Sequence, residues 1–287
     1  MNMIKRTALA TAAASMLALL PLTAHAAGGG EEIHIERQTW SFAGFTGKFD
    51  KAQLQRGYQV YKEVCAACHG VKRVAFRNLA EKTGPGFPEE SVKALAATFK
   101  VEDGPNDDGK MFQRPAKLSD NVPSPYKNEQ EARSIHNGAY PPDLSNMAKA
   151  RSIENTATWY KHIFLMARDI GVGYQEGGVD YIYALLTGYE EKPPAGVKLA
   201  DGMNYNKAFP GNQIAMAPPL SDGIVKYEDG TPAKVENYSR DVAAFLAWTA
   251  DPRLEDRKSM GWIVMLYLVI TALLLFIGKK RIWASAH

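Results

Sequence analysis

The sequence predicts a mainly α-helical exported domain with long loop insertions, followed by one C-terminal transmembrane helix. Three observations predict it. Apolar residues recur at helical spacing in several segments while strand patterns are sparse, the 24 Gly and 16 Pro residues cluster between those segments, and residues 260–278 carry no formal charge.

The N-terminus sets the compartment. Lys5 and Arg6 precede an uncharged, small and apolar run that ends in Ala24-His25-Ala26 before a glycine cluster. That order of basic, apolar and small residues is a secretory signal peptide, predicted over residues 1–26 with cleavage ahead of Ala27. An amphipathic anchor helix fits less well, because the run has no polar face.

The first helix of the exported part is expected where Leu54, Tyr58, Tyr61 and Cys65 recur at helical spacing, and it delivers the most informative motif of the chain, Cys65-Ala66-Ala67-Cys68-His69. Cys-x-x-Cys-His is the attachment signal of a c-type haem. Two thiols three residues apart lie on one face of a helical turn, so each can add to one vinyl group of the same porphyrin. His69 then supplies the proximal ligand to the iron. A thioredoxin-like pair lacks its strand-to-helix context, and zinc needs further soft or imidazole ligands at short spacing. A Cys65–Cys68 disulfide would close a loop too small to stabilise much. The chain has no other cysteine, so a single covalently bound haem c accounts for both thiols in an oxidising compartment.

Further helices are expected over residues 90–99, 157–169, 178–187 and 239–250, the last from Val242, Phe245, Leu246 and Thr249 on one face and closed by Asp251-Pro252. Residues 224–227, followed by Asp229-Gly230, predict a small hairpin. The exported domain so described spans residues 27–258, and no internal repeat interrupts it.

The 19 residues of 260–278 are long enough to cross a bilayer core as a helix, and Lys279-Lys280-Arg281 follows them. Basic residues favour the cytoplasmic side, which predicts a transmembrane helix over 259–279 and a cytoplasmic tail over 280–287. Trp262 and Trp283 suit the two interfaces. A buried soluble helix is the alternative for this run. The formal charge of +3 is misleading for the exported part. Without Lys5, Arg6, Lys279, Lys280 and Arg281, the 34 basic residues fall to 29 against 31 acidic, a net of −2. Nucleic acid is therefore not an expected partner, whereas Glu102-Asp103, Asp107-Asp108 and Glu190-Glu191 would attract a basic protein.

A low-spin electron carrier needs a sixth iron ligand, and a thioether raises the potential relative to a second imidazole. Met111, Met147, Met166, Met203 and Met216 are the exported candidates. Met216 is preferred, because Ala217-Pro218-Pro219 stiffens a non-helical segment able to press sulfur against a flat ring. Met166 reads as a core residue on a helix face and Met111 as part of a polar loop, while Met147 and Met203 remain alternatives. His136 or His162 would give bis-imidazole ligation instead.

These motifs occur together with Val101-Glu102-Asp103-Gly104-Pro105-Asn106, Arg114-Pro115, Lys117-Leu118-Ser119-Asp120, Pro141-Pro142-Asp143-Leu144-Ser145 and Leu185-Leu186-Thr187-Gly188-Tyr189. In that order they resemble the cytochrome c1 family, the haem subunit of the cytochrome bc1 complex, or quinol:cytochrome c oxidoreductase. The resemblance implies a cytochrome c-like helical fold with insertions, Met216 as axial ligand and Arg151 near a haem propionate. A guanidinium can pair bidentately with such a carboxylate. It also implies cytochrome b, the Rieske iron–sulfur protein and a soluble or membrane-bound c-type cytochrome as partners, with membrane lipid around the anchor. The expected location is the bacterial inner membrane, single-pass, with the haem domain in the periplasm. The chain departs from many members in an extra stretch, roughly 152–175, and in lacking a further cysteine pair. A stand-alone tethered cytochrome c serving a terminal oxidase or reductase would share the signal peptide, haem motif and anchor. A di-haem peroxidase would need a second attachment motif.

Overall fold

The computed structural model describes residues 33, 35–151, 163–164, 166–167 and 177–284. The signal peptide, His162 and most of the 152–175 stretch lie outside the described residues. The described chain is mainly helical, as the sequence predicts.

Helix α1, Lys51–Glu63, is started by Asp50, whose carboxylate accepts from the Ala52 and Gln53 amides at 2.9 and 3.2 Å. This N-cap satisfies two of the orphan donors of the first turn. Helix α2 is Glu89–Ala97, α3 is Glu129–Ile135, α4 is the single turn Met147–Ala150, and α5 is Gly177–Thr187. Helix α6, Val235–Ala250, begins four residues before the segment expected from its apolar spacing, because Asp222 Oδ1 accepts from Val235 N at 2.9 Å and supplies the cap from a distant loop. A local periodicity cannot reveal a cap of that kind.

The core forms where α1 crosses α6, with α5 and α4 packed against α6. Leu54 and Val60 from α1 meet Tyr238, Val242, Phe245 and Trp248 from α6, all fully buried. Full burial of a side chain of this size is worth roughly 1.5–3 kcal/mol. The rings of Tyr58 and Tyr61 lie 5.7 and 5.6 Å from that of Phe245. Gly57 makes the crossing possible: a Cβ there would sit 2.1 Å from Asp241 O and 2.7 Å from Phe245 Cβ. Beside it, Arg56 Nε donates to Asp241 Oδ2 at 2.7 Å and NH1 to Asp229 Oδ2 at 2.8 Å. The almost buried Asp241 carboxylate is thereby compensated.

Strands differ from expectation. Residues 224–227 form no hairpin. Val225 and Tyr227 turn inward instead, and the Tyr238 hydroxyl bonds the Val225 carbonyl in place of a strand partner. The antiparallel pairs are β1, Lys100–Asp103, with β2, Phe112–Pro115, and β3, Asn204–Tyr205, with β4, Gln213–Ile214. Half-exposed residues in β1 and β2 give no apolar alternation. Arg114 secures this hairpin by bonding Asp103, and Asp120 through NH1 at 2.6 Å.

Helix α7, Leu254–Ala284, has 31 residues and is long and apolar enough to cross a membrane. At about 1.5 Å per residue it extends roughly 46 Å, more than the ~30 Å hydrocarbon core requires. Its head is fastened to the body. Lys258 Nζ donates to the carbonyls of Phe42 and Gly47 at 2.7 and 3.1 Å, and Glu255 accepts from Phe49 N at 3.0 Å. Asp251 bonds both Arg257, at 2.6 Å, and Lys149 of α4, at 3.0 Å.

Candidate functional site

Where α1 ends, the chain tightens into a 3-10 turn, Cys65–Ala67, with the amides of Cys68 and His69 both donating to Cys65 O at 3.1 and 2.8 Å. Cys65 therefore lies just past α1. Tightening the last turn still keeps the two sulfurs on one side, as the motif requires. Both thiols are free, and burial pushes that of Cys65 up to about 12, with the neighbouring Cys68 adding to the effect. A dithiol redox centre needs the opposite, a thiol depressed towards neutral pH. Among the described residues no group of three His, Cys, Asp or Glu side chains could hold a metal ion, so a zinc reading has no ligand set there.

His69 is oriented by a residue 73 positions away. Its Nδ1 lies 2.8 Å from the Pro142 carbonyl, which can only accept, so Nδ1 carries the proton and Nε2 keeps its lone pair. Burial lowers the basicity of the imidazole and favours its neutral form, the form that ligates iron. The Pro142 segment is itself stitched to the turn. Leu144 N donates to Gly70 O at 2.8 Å, Asp143 accepts from Lys72 N at 2.9 Å, and Ser145 accepts from Arg73 N at 3.1 Å. Two free thiols and an imidazole with one committed nitrogen fit a covalently tethered haem c. The Pro141-Pro142-Asp143-Leu144-Ser145 motif was visible in the sequence, but its use of a backbone carbonyl had no residue-type signal.

Met216 lies half-buried on a different segment. Its carbonyl accepts from the Tyr189 hydroxyl at 3.1 Å and from Asn204 Nδ2 at 3.4 Å, which fixes the backbone of that segment. Burial raises the pKa of Tyr189, so the hydroxyl remains a donor at any ordinary pH. Arg151 is exposed, directly after α4. Gly178 of α5 backs that position: a Cβ there would lie 2.1 Å from both Ala148 O and Arg151 O. Tyr189, Asn204 and Gly178 were missed as supports. The Leu-Leu-Thr-Gly-Tyr motif holds the clue for Tyr189 only.

The remaining methionines separate. Met166 is 58% exposed, so the expectation of a core residue is wrong; the helical spacing around it reflects no buried face at that side chain. Met111 is exposed in the β1–β2 loop and Met203 is partly exposed, while Met147 packs against the core from α4. His136, which ends α3, lies with Nε2 2.6 Å from the Tyr126 hydroxyl. Tyr126 also donates to Ala67 O at 3.4 Å, beside the cysteine turn. Of the acidic clusters, Asp107-Asp108 and Glu190-Glu191 are exposed, but Asp103 is neutralised by Arg114.

Residues 40–286 match the model of the Cytochrome C1 family. The chain is 52% identical over 248 residues to "Cytochrome b/c1" of Bradyrhizobium diazoefficiens, covering 86% of this chain and 35% of that protein, so it spans about a third of that longer relative. It is 49% identical to "Cytochrome c1" of Blastochloris viridis, over 90% of this chain and 88% of the relative. Similarity extends to "Cytochrome b-c1 complex catalytic subunit, mitochondrial" of Candida albicans, 43% identical over 87% of this chain and 77% of the relative.

Proposed function

The chain belongs to the cytochrome c1 family, and we propose that it is the membrane-anchored, mono-haem subunit of a quinol:cytochrome c oxidoreductase. In this reading it takes one electron from a Rieske iron–sulfur protein and passes it to a soluble or membrane-bound c-type cytochrome. The observation that carries the proposal is the Cys65–His69 turn with His69 Nδ1 committed to Pro142 O, an arrangement that suits an iron ligand beside two tethering thiols.

A bound haem supplies a one-electron centre whose potential follows its axial ligands. The chain's residues hold it: Cys65 and Cys68 as thioether tethers, His69 Nε2 and Met216 Sδ as ligands, and Arg151 as the cation that offsets a propionate. No substrate bond is made or broken on this chain. Quinol chemistry belongs to cytochrome b, and the Bradyrhizobium relative, named for both cytochromes and matched here over about a third of its length (35%), supports that partnership. The signal peptide over 1–26 and the basic residues after 278 support a periplasmic domain over 27–258, an anchor over 259–279 in the bacterial inner membrane and a cytoplasmic tail over 280–287. The exposed acidic pairs at 107–108 and 190–191 would steer a basic acceptor, and transfer should slow with rising salt as charges are screened over about 8 Å.

The test is association and pigment together. Solubilised full-length protein should copurify with a haem b polypeptide and a Rieske protein, and its colour should stay on the polypeptide in acidified organic solvent. Pigment that extracts would overturn covalent attachment. Coloured protein that purifies alone from mild detergent would favour the stand-alone tethered carrier.

A further inference from the structure

The loop of residues 40–49 is closed on itself by Lys48 N donating to Ser41 O at 3.0 Å and Ala43 N to Trp40 O at 3.1 Å. Its aromatic residues divide sharply. Trp40, Phe42 and Phe49 are buried in series, Trp40 stacked on Phe42 with centroids 5.5 Å apart and Phe42 tilted against Phe49 at 4.8 Å, whereas Phe45 at the tip is 51% exposed. Gly44, at φ +68°, and Gly47, where a Cβ would lie 2.0 Å from Ala43 O, hold the tip in a turn that few other residues could form. The tip is thus built to present one large ring outward.

That ring stands against the membrane helix. Phe45 meets Trp262 edge-on at 6.2 Å, and Trp262 lies inside the uncharged run of α7, itself 58% exposed. Trp262 is one turn beyond Lys258, so by helix rise it lies about 6 Å deeper along the axis. Lys258 meanwhile donates to Phe42 O and Gly47 O, tying both shoulders of the loop to the helix. A helix that crosses the bilayer with Trp262 at the interface therefore carries Phe45 to the same level.

We propose that the 44–46 tip is a second membrane contact, in which Phe45 inserts its ring into the phospholipid interface beside Trp262. The inference rests on reading α7 as a membrane span. The bilayer is the favoured occupant because the exposed ring is continuous with the apolar surface of that helix and reaches it through an aromatic pair, the residue type that bilayer interfaces accept. Lys48, exposed at the base of the tip, can meet phosphate.

The test uses full-length holoprotein in phosphatidylcholine vesicles that contain no other polypeptide. A photoreactive residue is placed at one position at a time, as Phe45→p-benzoylphenylalanine or Trp262→p-benzoylphenylalanine, with the haem absorbance reporting a native fold. Illumination should add the mass of one phospholipid at both positions. If Phe45→p-benzoylphenylalanine loses the haem signature, Thr46→p-benzoylphenylalanine probes the same exposed tip. A lipid adduct at Trp262 with none at the tip overturns the second contact and leaves the anchor standing. A tip that labels only polypeptide, and only in native membranes, also overturns it and assigns Phe45 to a protein neighbour. Absence of lipid at both positions removes the membrane span and the inference with it.

Discussion

Replacing Gly57 by alanine should destabilise the domain although it improves the helix. In an exposed helix interior the change would gain about 1 kcal/mol. Here the new methyl would stand 2.1 Å from Asp241 O, a backbone atom with no rotamer to yield, and 2.7 Å from Phe245 Cβ. Non-bonded carbon is comfortable beyond roughly 3.5 Å, so α1 and α6 would have to part by about 1 Å or more. Overpacking of this kind costs about 1–3 kcal/mol, and the rigidity of both helices puts this site at the upper end. The expected net loss of about 1–2 kcal/mol corresponds to a melting point roughly 2–8 °C lower for a domain of this size. Thermal unfolding of the full-length holoprotein in detergent, followed by helical circular dichroism and haem absorbance, measures it. A Gly57→Ala variant as stable as the parent would refute the close crossing, and with it the packing assigned to the core.

Three further outcomes are expected. Met216→Leu conserves volume and should fold at a cost below about 1.5 kcal/mol, yet lose the far-red sulfur-to-iron band, with a fall in potential on the order of 100 mV, since axial ligands set potentials across about 0.8 V; an unchanged spectrum would transfer the ligand role to Met147 or Met203. Gly178→Ala should displace the Ala148 and Arg151 carbonyls, both 2.1 Å from the added carbon, and shift the haem potential while the sulfur-to-iron band stays; a displaced melting point with an unmoved potential would separate Arg151 from the haem. Arg114 holds the Asp120 carboxylate down at about 2, chiefly through their hydrogen bond, with the Lys117 amide assisting. A depressed carboxylate stabilises above its unfolded value of about 3.9 and the benefit is lost as pH falls towards 2. The melting-temperature gap between parent and Arg114→Gln should therefore be constant above about pH 5 and close between pH 4 and 2, and a gap independent of pH would show that packing rather than the ion pair holds the hairpin.

What could be read in advance follows the range of the interactions. Cys65, Cys68 and His69 fall within five residues of the chain, so their spacing alone revealed the motif. The buried stripes of α1 and α6 and the uncharged run of α7 repeat locally, so periodicity found them. The Pro142 carbonyl, the Tyr189 hydroxyl and the Asp222 cap act across 73, 27 and 13 positions, and backbone groups in particular leave no mark on composition. The hairpin expected at 224–227 failed for a related reason. The backbone amide and carbonyl of Val225 both bond the Tyr238 hydroxyl of α6 rather than a strand. The β1–β2 pair was hidden because Arg114 and its carboxylates hold it instead of an apolar face.

The joint at Lys258, Glu255 and Asp251 has a mechanical consequence. Two separate parts of the body hold the start of the helix, the 42–49 loop through Glu255 and Lys258, and α4 through Lys149 on Asp251, which Arg257 also bonds, so a tilt of the helix would be passed to both. With α7 as the proposed membrane span, the aromatic loop and α4 would follow the inclination of the anchor instead of hanging from it independently.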